Sequence, residues 1–170
     1  MTDAPPFSVV ALDGHDRSRF DCGSIALNTY LQMQAGQDMK RRVAASFVAV
    51  DRSTGDIAGF YTLSAGHVHL SDLGTDLQRK LPRYPVVPAV RLGRLAIAVG
   101  YQGRKLGAAL LASAVSRAVR SEIAVAMMLV DAKDDRAAAF YVHHGFRPDP
   151  GNPLCLFAPL ATLAQALGHP

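Results

Sequence analysis

Cysteine is scarce in this chain: Cys22 and Cys155 are its two, too few for a disulfide framework or a structural zinc site. Neither has a recognisable nucleophile setting, and both read as small core residues. Glutamate is scarcer still, with Glu122 alone. No apolar run approaches the roughly 18 residues that a membrane-spanning helix needs. Residues 1–7 carry neither the basic nor the apolar stretch of a secretory signal. These absences lead us to expect a cytoplasmic protein with no membrane attachment. Acid is also missing locally. Between Leu77 and Ser121 there is no carboxylate to set against Arg79, Lys80, Arg83, Arg91, Arg94, Arg104, Lys105, Arg117 and Arg120. With Lys40-Arg41-Arg42 upstream, that charge suits a polyanion such as phosphates or nucleic acid, although for charge alone a solvated surface is the more ordinary reading.

What is present fits one domain over residues 1–170. Of the 170 residues 49% are apolar and 19% charged, enough to close a sizeable core. Residues 7–12 read as a first strand. Ser24 caps a helix carrying Ile25, Leu27, Tyr30 and Leu31, which continues toward Met39 past Gly36. Residues 46–50 and 57–63 form a hairpin around Thr54-Gly55. Residues 66–88 read as a long irregular connection holding Pro82, Pro85 and Pro88.

A strand over residues 91–99 then leads to a helix with Leu106, Leu110, Ala114 and Ala118 at four-residue spacing. Residues 125–130 suit a strand buried on both faces. Asp131 and Asp134 offer caps for a helix through Ala137, Phe140, Tyr141 and His144, which Gly145 ends. Residues 154–160 are a last strand, interrupted by Pro159. The order β-α-β-β-loop-β-α-β-α-β-β implies an α/β protein with a mixed central sheet flanked by helices.

The chemistry concentrates between Leu95 and Leu111. A glycine-containing turn at a helix start aims several backbone N–H groups outward, and the helix dipole adds positive potential. Gly103 and Gly107 let backbone approach a ligand, and Arg104 and Lys105 add charge, so a pyrophosphate fits. The Gly-Lys-Ser/Thr ending of a P-loop is absent, and the glycine spacing is wrong for a dinucleotide fingerprint. Elsewhere, His67 and His69 alternate as two metal ligands would, but no third lies nearby, so no metal is expected. His143 and His144 are adjacent on a helix and should point apart.

The run Arg94-Leu-Ala-Ile-Ala-Val-Gly-Tyr-Gln-Gly-Arg-Lys-Leu-Gly107, followed by Ala137-Ala-Ala-Phe-Tyr-Val-His-His-Gly-Phe146, resembles the GNAT superfamily of acyl-CoA-dependent N-acetyltransferases. Phe20-Asp-Cys-Gly23 and Leu81-Pro-Arg-Tyr-Pro-Val-Val-Pro88 narrow the likeness to GNAT toxins of toxin–antitoxin modules, which acetylate aminoacyl-tRNA. The resemblance spans roughly residues 8 to 160. It implies a GNAT fold whose splayed core strand pair holds acetyl-CoA. Leu95, Ala96 and Ile97 would offer backbone groups to the pantetheine arm and thioester. Gln102, Gly103, Arg104, Lys105, Leu106 and Gly107 would form the pyrophosphate loop, with Ala108 beside it, and Tyr141 would be the general acid. It further implies a cognate ribbon-helix-helix antitoxin and a homodimer, with Arg79, Arg83 and Arg91 as our choices for the tRNA surface. Two positions depart from the pattern. Lys105 replaces the loop's usual second glycine, where a positive φ costs more, and Asp134 replaces an asparagine.

Acid–base magnitudes favour one amine class. At pH 7 a lysine amine costs about 4.6 kcal/mol to deprotonate and an α-amine about 1.1 kcal/mol. With no carboxylate on the strand 91–99, the chain leans toward an α-amine, unless His67 or His143 acts as a base through water. A tyrosine beside Phe140 is ordinarily core; Gly145-Phe146 and the upstream loop favour the catalytic reading. Proton transfer from a phenol near 10 to a thiolate near 8.5 is about 2 kcal/mol uphill in water, so hydrogen bonding to the thiolate serves as well. Two rivals remain at this point. One is a GNAT enzyme for a small amine or a protein N-terminus, and the other a non-catalytic module that binds acetyl-CoA or nucleic acid.

Overall fold

The computed structural model describes residues 4–168; residues 1–3, part of the start read above, lie outside the described residues. The strands are β1 (Phe7–Ala11), β2 (Ala45–Asp51), β3 (Ile57–His69), β4 (Val86–Ile97), β5 (Met127–Asp131), β6 (Arg147–Asp149) and β7 (Asn152–Pro159). They form one seven-stranded sheet in the order β1-β2-β3-β4-β5-β7-β6. The sheet is mixed, with β4 and β5 parallel and β5 and β7 antiparallel. The helices are α1 (Ile25–Thr29), α2 (Ala35–Lys40), α3 (Thr75–Arg79), α4 (Leu106–Arg120), α5 (Asp135–His143) and α6 (Leu160–Ala166). This is the helix-flanked mixed α/β architecture expected from the order of elements. Residue contacts fall into two compact units, one holding residues 4–63 with Arg94–Ser113, the other Ser64–Gly93 with residues 114–168.

In the first unit the β2–β3 hairpin closes through local chemistry. The Asp51 carboxylate accepts from the Ser53 amide and hydroxyl, and Gly55, at φ +78°, donates its N–H to the Asp51 carbonyl at 2.8 Å. Ser24 caps α1 by accepting from the Leu27 amide. At Tyr30 the helix widens into a π-helical turn (Tyr30–Gln34) before α2. Tyr30, Leu31 and Ala35 are thereby buried with Leu12, Phe20, Phe60 and Ala96. β3 runs very close to β4: a Cβ on Gly59 would sit 2.9 Å from the Ala96 carbonyl oxygen. Along α4, the expected positions Leu106, Leu110, Ala114 and Ala118 are all buried.

The second unit packs Val68, Leu77, Val87, Ala89, Met127, Leu129 and Phe157 into a separate core. β5 is buried from Met127 to Val130, as its unbroken apolar run requires. Asp134 caps α5 by accepting from the Ala137 amide at 2.8 Å, and Gly145, at φ +100°, follows the helix end.

Several expectations fail here. Residues 66–88 are not irregular, because β3 continues to His69, a short turn and α3 follow, and β4 already begins at Val86. Gly66 lies within β3, where a Cβ would make only ordinary contact with the Leu129 side chain at 3.5 Å. Pro88 fits inside β4 because its carbonyl still accepts from Ala126. Asp131 ends β5 rather than capping α5. Pro159 ends β7 and precedes α6, a helix not expected from the sequence. His143 and His144 do not point apart: their rings lie 5.1 Å from each other, because His144 has left helical geometry.

Candidate active site

The first unit holds residues 95–108 together. β4 delivers Leu95, Ala96 and Ile97, with Ala96 buried and its neighbours half-buried. The chain leaves the strand through two backbone anchors: the Ala98 amide donates to the Ala58 carbonyl, and the Val99 amide to the Asp21 carbonyl, both at 2.8 Å. A short turn (Val99–Tyr101) then leads into the exposed residues Gln102, Gly103, Arg104 and Lys105. Gly103 has φ +80° and Lys105 φ +61°. A Cβ at Gly103 would meet no atom within 4 Å, so that glycine answers to its backbone angle and not to crowding. Lys105 therefore adopts the left-handed conformation despite its side chain, at a cost of about 1–2 kcal/mol. α4 begins at Leu106, and the first amides of a helix have no intrahelical acceptor. Those amides at Leu106, Gly107 and Ala108, with two cations and the dipole, suit the pyrophosphate of acetyl-CoA.

Gln102 has a use that sequence reasoning missed. Its side-chain amide donates to the Ile97 carbonyl at 3.1 Å and to the Cys22 carbonyl at 3.3 Å. The loop is thus tied both to the strand it leaves and to the Asp21–Gly23 turn. That turn has side-chain hydrogen bonds of its own. The Asp21 carboxylate accepts from the Gly23 amide and from Asn28, which together hold it below the usual carboxylate range. The signal was Phe20-Asp-Cys-Gly23, noted for its resemblance but given no role. On the other side the Tyr101 hydroxyl donates to Asp51 at 2.7 Å, and the Arg104 guanidinium lies 5.2 Å from the Tyr101 ring. The Tyr101 hydrogen bond, then those from Ser53, hold the Asp51 carboxyl down to about 2.

The second unit carries Tyr141 and the three arginines chosen for RNA. Tyr141 is buried on α5, edge-on to Phe140 at 5.2 Å and to Phe146 at 5.5 Å. Burial first, and the charge of Asp131 second, push its phenol far above the ordinary value. Such a phenol stays protonated and serves as a hydrogen-bond donor. Arg79 and Arg83 are exposed and form no ion pair among the described residues. Arg91 differs: it is ion-paired with Asp131, so much of its charge is already compensated. Burial, then the charge of His143, lowers the His144 pKa, and burial raises the Cys155 thiol. His67 and His69 are exposed on β3, and no group of three potential metal ligands occurs among the described residues. β4 bears no carboxylate anywhere along Val86–Ile97. No helix among the described residues is long and apolar enough to cross a membrane.

Comparison with known proteins bears on the family and the fold. The family model of the acetyltransferase (GNAT) domain matches residues 43–148. A tRNA-acetylating toxin of Mycobacterium tuberculosis is 36% identical over 146 residues, covering 85% of this chain and 86% of its own. A probable toxin TacT of Sinorhizobium fredii is 27% identical over 163 residues, covering 91% and 90%. Among solved structures, AtaT complexed with acetyl-methionyl-tRNAfMet superposes with a TM-score of 0.83 at 28% identity, over 94% of this chain and 98% of that one. AtaTR bound with acetyl-CoA gives 0.78 at 27% identity, over 95% and 98%. A tyrosine-to-phenylalanine mutant of AtaT bound to the C-terminus of the antitoxin AtaR gives 0.79 at 25%, over 97% and 100%.

Proposed function

The chain belongs to the GNAT acetyltransferase family, and from that premise we propose that it is a toxin that moves acetyl from acetyl-CoA to the α-amino group of aminoacyl-tRNA, blocking translation. The observation that carries this reading is the turn at residues 102–108. There, left-handed Gly103 and Lys105 open the backbone ahead of the first amides of α4, which have no acceptor within the helix. The choice of acceptor is supported by the relative named a tRNA-acetylating toxin and by AtaT, solved with acetyl-methionyl-tRNA.

Acetyl-CoA supplies an acetyl group activated as a thioester. In this reading Gln102, Gly103, Arg104, Lys105, Leu106 and Gly107, with Ala108 beside them, hold its pyrophosphate. The backbone of Leu95, Ala96 and Ile97 orients the arm and the carbonyl. The neutral α-amine forms the C–N bond, its proton passes to solvent, and the C–S bond breaks. Tyr141 donates a hydrogen bond to the departing thiolate. Its raised pKa makes full proton transfer from the phenol still less favourable, so solvent completes the protonation. The absence of a carboxylate on β4 matches an amine that is partly neutral at pH 7. Arg79 and Arg83 engage tRNA phosphates, and Arg91 does so only in competition with Asp131. Residues 1–170 act as one acetyltransferase domain in the cytoplasm, as a homodimer, restrained by a ribbon-helix-helix antitoxin.

The test is transfer of labelled acetyl from acetyl-CoA to total charged tRNA by wild type and Tyr141→Phe. We expect label on aminoacyl-tRNA, none after prior deacylation, and a loss of about 100-fold or more in the variant. Acetyl-CoA binding without label on any tRNA would overturn the reading and point to small amines or protein N-termini.

A further inference from the structure

Arg94 stands out among the arginines that are not fully exposed. Arg17 donates to the Leu31 carbonyl and Arg91 to Asp131. Arg94 is half-buried, yet among the described residues it has no hydrogen-bond acceptor. Its guanidinium instead lies flat against Tyr30, with the central carbon 3.5 Å from the ring centroid. The arrangement is built rather than incidental. Tyr30 also stacks on Phe60 at 6.3 Å, and its hydroxyl donates to Asp38 at 2.8 Å. Tyr30 is also the first residue of the π-helical turn, a helix irregularity that frequently marks functional positions. A guanidinium held by one face keeps its planar fork of N–H donors free for a single kind of ligand, a bidentate oxyanion.

Its place in the chain says which anion. Arg94 immediately precedes Leu95, Ala96 and Ile97, the residues assigned to the thioester. The strand rises about 3.3 Å per residue, so the guanidinium lies within about 10 Å of that backbone. Resting on the function proposed above, we infer that Arg94 seats a phosphodiester of the single-stranded 3′ end of the acceptor tRNA. It would thereby be a positioning residue that sets the α-amine against the thioester. An amine without a phosphate nearby would gain nothing from it.

Binding tests this independently of turnover. The probe is a labelled RNA hairpin with a single-stranded CCA tail, carrying an uncharged methylphosphonate at each tail linkage in turn. With the full-length wild-type protein, we expect one linkage to weaken binding by about tenfold on neutralisation. The same linkage should be silent in Arg94→Gln. The slope of log affinity against log salt should fall by about 0.7 in Arg94→Gln and be retained in Arg94→Lys. A merely structural role would lower affinity without moving the slope. If no linkage matters to wild type, the inference is overturned even should the glutamine variant fail to fold. If a linkage matters but wild type transfers no acetyl to aminoacyl-tRNA, the function fails while the phosphate seat stands. If transfer occurs and every linkage is silent, the reverse holds.

Discussion

Lys105 holds a conformation that a glycine would adopt freely, φ +61° at the entrance to α4. Lys105→Gly relieves about 1–2 kcal/mol of backbone strain and gives back about 0.4–1 kcal/mol through a more flexible unfolded chain. The expected net is a gain of about 0.5–1 kcal/mol, a rise in Tm of roughly 2–4 °C. Weaker acetyl-CoA binding should accompany it, because a cation is lost from the loop. A lower Tm by calorimetry would mean that the lysine side chain makes a compensating contact. Tyr141 carries a second consequence. A phenol whose pKa is raised on folding adds stability that is complete below the unfolded value near 10 and lost as pH climbs through the folded one. From pH 5 to 9 the contribution of Tyr141 to stability should therefore not change with pH. Above pH 10, Tyr141→Phe should lose stability less steeply than wild type; parallel alkaline melting curves would contradict the buried protonated phenol.

The loop and the strand it leaves behave as one element because Gln102 bonds both Ile97 and the Asp21–Gly23 turn. Gln102→Ala removes two hydrogen bonds of about 1 kcal/mol each, and acetyl-CoA binding should weaken by about tenfold. Hydrogen exchange at Gly103–Lys105 should quicken in parallel, while an unchanged Kd by calorimetry would reduce the brace to decoration. Much of this element was legible beforehand. Leu106, Leu110, Ala114 and Ala118 announced the buried stripe of α4, and Asp134 and Gly145 marked the limits of α5, because such signals are local. The brace was not, since nothing at Cys22 says that its carbonyl meets Gln102. The segment after Leu63 was misread for a related reason. The prolines there suggested breaks, whereas Pro88 still offers its carbonyl to Ala126, a partner distant in sequence.

Over the whole molecule, positive charge is less free than the residue count suggests. Asp131 pairs with Arg91, and Asp76 with Arg147 at 2.5 Å, whereas Arg79 and Arg83 stand among the exposed cations of the second unit, with Lys80, Arg120, Lys133 and Arg136. Neutralising Arg79 and Arg83 to glutamine should flatten the salt dependence of tRNA binding by about 1.4 to 1.8 in log–log slope. An unchanged slope would move the RNA to another face.

The bare strand β4 has a last consequence. With no carboxylate on β4 to draw off the proton, acetyl transfer takes its tempo from its acceptor: the reactive fraction of charged tRNA is the one whose amine is already deprotonated. With an amine near pKa 7.8, that fraction shrinks almost threefold when the interior of a cell acidifies by about half a pH unit. Growth arrest would then ease under acid stress and deepen at alkaline pH, the acceptor's own amine sensing the change.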